Sequence, residues 1–320
     1  MKRYLPYLAG LGVAMAWGLS FLFTKGALDY LEPFHLLGLR FAAAIGAMSA
    51  LRLAGIIKIK MTASDYLHLL PLAIFVPIIY FSAETMGVLL TSASYSAMMI
   101  AAIPIVVAIL GSVLLREYPN RMQLLFVIAS VAGVIFIIMM DNQSITGINP
   151  LGTLALIGAV VSAAFYNIFS RKASAHYSPL QTTWVMMVFG AVAFNLIALL
   201  QHFYAGEVGS YLQPLTVLWP SIIYLGVASS VGAFFLYNYL LSKVTASQAS
   251  VFANLITVVA IAGGVVFREE TVTWYHLIGT AAILAGVWGT NRYAQKAIFP
   301  SKTAGEGDNI KNSSKSLIIF

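Results

Sequence analysis

Runs of about twenty apolar residues, separated by short clusters of charge, Pro, Gly and Asn, recur from one end of the chain to the other. They predict helices near residues 5–28, 33–54, 66–90, 93–115, 121–140, 151–171, 180–203, 216–241, 246–267 and 273–292. Apolar residues follow one another in these runs and do not alternate with polar ones, which excludes the strands of a membrane β-barrel. A hydrocarbon core about 30 Å thick takes about 20 residues of helix to cross. The pattern therefore predicts an all-α integral membrane protein of ten transmembrane helices.

Composition agrees with that pattern. The 320 residues are 60% hydrophobic and 9% charged, with a mean hydropathy of +0.88, where a soluble domain carries about 25% charged residues. There is no cysteine, so disulfides, thiolate metal sites and cysteine nucleophiles drop out and the redox compartment stays unread. Met1-Lys2-Arg3 precedes an uncharged stretch from Tyr4 to Thr24, too long for a signal-peptide core, and is read as the start of an uncleaved first span.

The net charge of +7 is explained by where the charges lie. With a cytoplasmic N-terminus, every Lys and Arg except Lys25, Arg40 and Arg268 falls at an inner helix end or inner loop. That is the positive-inside asymmetry, and it predicts a cell-membrane protein with both termini in the cytoplasm. Because the charge is spread over many loops and not gathered on one face, nucleic acid is excluded as a partner. Residues 294–320, rich in Ser, Asn, Lys and Gly, are expected to form a disordered cytoplasmic tail.

The chain also aligns with itself. Gly12 to Lys25 matches Gly158 to Arg171, and Pro33 matches Pro179, at an offset of 146. Gly111 to Glu117 matches Gly263 to Glu269 at 152, and Ala132-Gly133-Val134 matches Ala285-Gly286-Val287 at 153. Two units are expected, 1–142 and 143–293, each with five spans. An odd number of spans inverts the second unit, an arrangement common among secondary transporters. The alignment also pairs Lys25 with Arg171 and Arg268 with Arg116, so each exception to the charge rule in the loops has a repeat partner that obeys it.

These residues resemble the drug/metabolite transporter superfamily and its EamA-type ten-helix members. The resemblance rests on Ala16-Trp17-Gly18 with Lys25, on Leu39-Arg40-Phe41, and on Ala93 to Pro104 leading to Arg116-Glu117, and it covers about residues 5–292. It implies export of a substrate by alternating access through a central cavity. The second unit departs from the pattern, with Ala163 where the Trp is expected and Ile256 where the Pro is, so the two halves should contribute unequally.

No phosphate-binding G-x-x-x-x-G-K-[ST] loop, H-E-x-x-H or G-x-S-x-G motif is present, and no cofactor or metal is called for. Arg40 and Glu84 are the intramembrane ionisable residues, each about 10 Å deep in neighbouring spans, and form a candidate charge pair. An unpaired charge there costs at least about 2.5–3.5 kcal/mol, so a helix-locking pair weighs evenly against substrate or proton binding. Trp17, Ser20, Tyr80, Tyr95, Tyr166, Asn167, Asn238, Gln248 and Asn254 complete the candidates, since polar groups in hydrocarbon seek other helices or a wet cavity. Helix–helix contact is the favoured reading for each. Pro71, Pro77 and Pro104 are expected to kink the third and fourth spans. Ala129-x-x-x-Gly133 and Ala282-x-x-x-Gly286 are expected to pack helices closely, within the scaffold or in a homodimer. The functional expectation is a secondary transporter exporting amino acids or related small metabolites. An integral-membrane enzyme, a facilitative channel and an exchanger of phosphorylated metabolites stand as alternatives.

Overall fold

The structure, a computed structural model, describes residues 4–91, 96, 99–140, 149–268 and 272–294. Every regular element among them is helical: α1 Leu5–Leu28, α2 Pro33–Leu53, α3 Ala63–Ala73, α4 Tyr80–Leu90, α5 Ile103–Leu110, α6 Arg121–Met140, α7 Pro150–Ala173, α8 Pro179–Ala205, α9 Leu215–Ile223, α10 Ala233–Lys243, α11 Ala246–Ser250, α12 Leu255–Arg268 and α13 Trp274–Arg292. Starts are encoded locally. Pro33, Pro150 and Pro179 open α2, α7 and α8, where a missing N–H costs nothing. Ser178 with Gln181 and Thr245 with Gln248 form reciprocal capping boxes before α8 and α11.

Among the described residues, seven helical stretches are long and apolar enough to cross a membrane: Pro33–Leu53, Ala63–Gly87, Arg121–Met140, Pro150–Ala173, Pro179–Ala205, Leu215–Lys243 and Ala246–Gly263. Leu5–Ser20 and Ile103–Leu115 are shorter apolar helices. Ten predicted spans thus meet seven by this measure. The side chains of Phe21 and Leu22, in the first predicted span, and residues 92–95 and 97–98, in the fourth, lie outside the described residues. α13 is diluted by Trp274, Tyr275 and His276 at one end and Thr290 and Asn291 at the other. The predicted tail beyond Ala294 also lies outside the described residues.

Among the described residues three rods are interrupted, by a kinked segment, Ile74–Ile79, that joins α3 to α4, and by π-helical turns at Gly111–Leu115 after α5 and at Tyr224–Gly232 between α9 and α10. The first is the sharpest, because Val76 is fully extended (φ −138°, ψ 120°) beside Pro77. Its loosened backbone is repaired from a neighbour, the Ser162 hydroxyl of α7 donating to the Phe75 carbonyl at 2.7 Å. Ser162→Ala should lower stability by about 0.6 kcal/mol, the usual worth of a membrane-buried hydrogen bond, as a small drop in melting temperature in detergent. Pro104 stands in the first turn of α5, directly after a turn at residues 101–102 that separates α5 from helical residues 99–100.

The rods pack in recurring combinations: α1 against α10 and α12, α4 and α5 against α7, α2 against α8, and α6 along α13. The last seam uses the predicted small residues inside the chain. A Cβ at Gly133 would lie 2.8 Å from the Gly279 carbonyl, and one at Gly286 2.7 Å from both the Phe126 carbonyl and the Ser130 nitrogen. These residues are therefore scaffold, consumed where α6 meets α13. One continuous apolar cluster, from Val13 through Phe41, Val107, Tyr166 and Phe234 to Val287, joins both halves of the chain.

Candidate functional site

Arg40 lies on α2 at 6% exposure, so its charge must be met within the protein. Serines meet it. Nε donates to Ser230 Oγ at 2.7 Å and an Nη donates to Ser229 Oγ at 3.1 Å. Both serines sit on the π-helical turn between α9 and α10, a feature frequent at functional sites. The Ser229 carbonyl is held from another side by the Trp17 indole N–H of α1, at 3.0 Å.

The expected Arg40–Glu84 pair does not form as a hydrogen-bonded ion pair. Glu84 instead accepts from the Tyr80 hydroxyl, one turn earlier on α4, at 3.1 Å. The Arg40 guanidinium lies instead over Phe81, 4.9 Å from its ring centre. A buried cation beside an aromatic face is favourable, which explains how Arg40 persists without a direct carboxylate.

An aromatic chain carries this region across to the second half. Phe81 meets Phe41 at 5.7 Å and Phe234 at 6.4 Å, and Trp17 packs on Phe234 and Tyr237, both at 5.3 Å. Tyr166 stacks on Tyr237 at 6.2 Å. Beyond the rings lie two buried amides. Asn238 Oδ1 accepts from Tyr166 at 3.0 Å and from Ser170 at 2.6 Å, while its Nδ2 donates to Thr183 at 3.1 Å. Asn167 Oδ1 accepts from the Tyr237 hydroxyl at 2.7 Å, and its Nδ2 donates to the Ala163 carbonyl at 2.8 Å.

Trp17, Arg40, Tyr80, Glu84, Tyr166, Asn167 and Asn238 therefore belong to one connected region. Three other sequence candidates do not join it. Ser20 bonds the Trp17 carbonyl of its own helix. Gln248 is spent capping α11 and reaching Asn291 at 3.4 Å. Asn254 donates to Ser130 of α6 at 3.0 Å and acts as helix–helix glue. Tyr95 and the side chains of Lys25 and Arg268 lie outside the described residues. Sequence reasoning missed Ser229, Ser230, Phe81, Phe234 and Tyr237. Only Tyr237, directly before Asn238, carried a signal.

The chemistry on offer is bipolar. Arg40 commits two of its five donors to serines, leaving others for an anionic group. Glu84 has one oxygen on Tyr80 and a second for a proton or a cation. Among the described residues no group of three or more metal-binding side chains occurs.

Comparison with known proteins points to a membrane role. A model of the EamA-like transporter family matches residues 5–139 and 150–292. The chain is 37% identical over 294 residues to the Bacillus subtilis (strain 168) protein named "Uncharacterized transporter YcxC", covering 91% of this chain and 94% of that one. It is 28% identical over 272 residues to an "Uncharacterized transporter" of Archaeoglobus fulgidus, covering 85% and 93% of the two chains. A solved crystal structure shares the fold at a TM-score of 0.72 and 18% identity, over 90% of this chain and 97% of that one.

Proposed function

From the premise that the chain belongs to the EamA-like transporter family and is a multi-pass membrane protein, we propose that it is a secondary transporter exporting amino acids or related small metabolites by alternating access. The observation that carries this reading is Arg40 of the first half held by Ser229 and Ser230 of the second, against the Phe81 ring that continues into the aromatic chain. A buried guanidinium and a part-buried carboxylate, joined to one aromatic chain through Phe81 and Tyr80, offer complementary groups to a small zwitterion, and the rings suit its organic part.

The same reading takes the architecture as ten spans in two inverted five-helix units, with both termini in the cytoplasm of a cell-membrane protein. It is supported by the packing: α4 lies on α7 as α10 lies on α1, and α5 lies on α7 as α12 lies on α1. These are the pairs that exchange when one unit is substituted for the other. The two stretches matched by the family fall on the same two units.

The test is uptake and efflux of a panel of amino acids and related metabolites in reconstituted vesicles, with and without a pH gradient. Saturable flux is the expected result, and absence of flux for the whole panel overturns the reading. Glu84→Gln keeps the hydrogen bond from Tyr80 but cannot take up a proton. It should remove the dependence of flux on the pH gradient while leaving exchange of substrate across equal pH in place; full pH dependence in that variant removes Glu84 from coupling.

A further inference from the structure

A buried ion pair lies outside the site. Arg171 Nε donates to Glu117 Oε1 at 2.9 Å, with the two side chains 5% and 17% exposed. Glu117 is aimed by its own chain. Arg116 adopts a left-handed conformation (φ 56°), and the Glu117 N–H turns back to the Gly111 carbonyl at 3.1 Å, closing the π-helical turn after α5.

The pair also grips both sides of the link between α10 and α11. Arg171 donates to the Leu241 carbonyl at 3.0 Å, near the C-terminus of α10, and Glu117 Oε2 accepts the Ala246 N–H at 2.9 Å, at the N-terminus of α11. Each member is thus held twice, once by its ionic partner and once by a backbone group. Three pieces of chain distant in sequence, the ends of α5, α7 and the α10–α11 link, converge on one contact. They do so at the end that carries Arg116, Arg121, Lys172 and Lys243.

The contact is also adjacent to the site. Ser170, which bonds Asn238, directly precedes Arg171, and Asn238 lies one helical turn before Leu241. A change in how Asn238 is bonded is thus transmitted over a single turn to the pair.

We propose that Glu117–Arg171 is the latch that closes the basic, inner end of the transport path, and that its opening is coupled to the site through Ser170 and Asn238. The proposal rests on the transporter reading for what the opening serves, but its geometry can be tested separately. In the repeat alignment the same signs recur at Lys25 and Glu269. That recurrence is a property of the sequence and is not needed for the latch.

The chain has no cysteine of its own, so spin labels can be placed without background. Tyr118→Cys and Lys243→Cys put labels on exposed residues at the α5 and α10 sides of the pair. Distances between them are measured in full-length protein in detergent and in vesicles, in wild type, Glu117→Gln and Arg171→Lys. Glu117→Gln removes the ionic contact and should raise a longer-distance population at the expense of the short one. Arg171→Lys keeps the charge but not the fork that reaches Glu117 and Leu241 together, and should give a smaller shift in the same direction. An unchanged distribution in Glu117→Gln overturns the latch. So does loss of the monodisperse folded peak in both variants, which would make the pair a structural lock. A distance shift in a protein whose wild type moves no metabolite supports the latch as a closure and counts against the transporter reading.

Discussion

Arg40→Ala is expected to reduce flux by roughly 10–100-fold, because hydrogen bonds made by a charged group are worth about 1.5–3 kcal/mol and each 1.4 kcal/mol is tenfold. The loss has two physical parts. The guanidinium no longer offers its remaining donors to an anionic group, and Ser229 and Ser230 no longer tie the π-helical turn to α2. Ser230 keeps its bond to the Leu225 carbonyl at 2.8 Å, so the turn itself should persist. Arg40→Lys separates the parts. It restores a positive charge but cannot span two hydroxyls while lying against Phe81, and it should recover part of the flux with weaker apparent affinity. Initial rates in vesicles, normalised to folded protein, provide the measurement. Wild-type flux in Arg40→Ala would remove this residue from the site.

The second large effect concerns the scaffold. Gly286→Leu should prevent accumulation of folded protein, and even Gly286→Ala should cost about 1–3 kcal/mol. The reason is what an added methyl would strike: the Phe126 carbonyl and the Ser130 nitrogen are backbone atoms of α6, and neither can rotate away. The matched control is Gly158→Ala on α7, where an added Cβ meets nothing within 4 Å. That variant should be neutral or more stable by about 0.4–1 kcal/mol, since alanine has fewer unfolded conformations to lose. Melting temperatures of the purified proteins in one detergent distinguish the two glycines; equal behaviour would refute the close-packed seam.

How far the sequence led can be judged residue by residue. The helical rods were legible because the bilayer imposes a length and an unbroken apolar character that no other solvent demands. Arg40 and Glu84 were legible because charge within such a run is costly enough to require a reason. Their partners were not. Serine is tolerated almost anywhere in a membrane helix, so nothing marked Ser229 and Ser230 until the fold brought the turn against α2. Phe81 and Phe234 were hidden for a similar reason, being two phenylalanines among 19 in a chain that is mostly apolar. Gln248 was legible as a polar residue in an apolar run, but its local role was not. Thr245-Ala-Ser-Gln248 has the spacing of a capping box, and the side chain closes it.

The π-helical turn Tyr224–Gly232 bears on how this chain can vary over descent. Such a turn holds a surplus residue relative to an α-helix, and that surplus sets the angular phase of everything downstream. Deleting one residue there would rotate α10 by about 100°, carrying Phe234, Tyr237 and Asn238 away from their partners together. The length of this stretch should therefore be far less negotiable than its letters. Insertions and deletions belong instead in the connection between α8 and α9, where a change in length alters no phase.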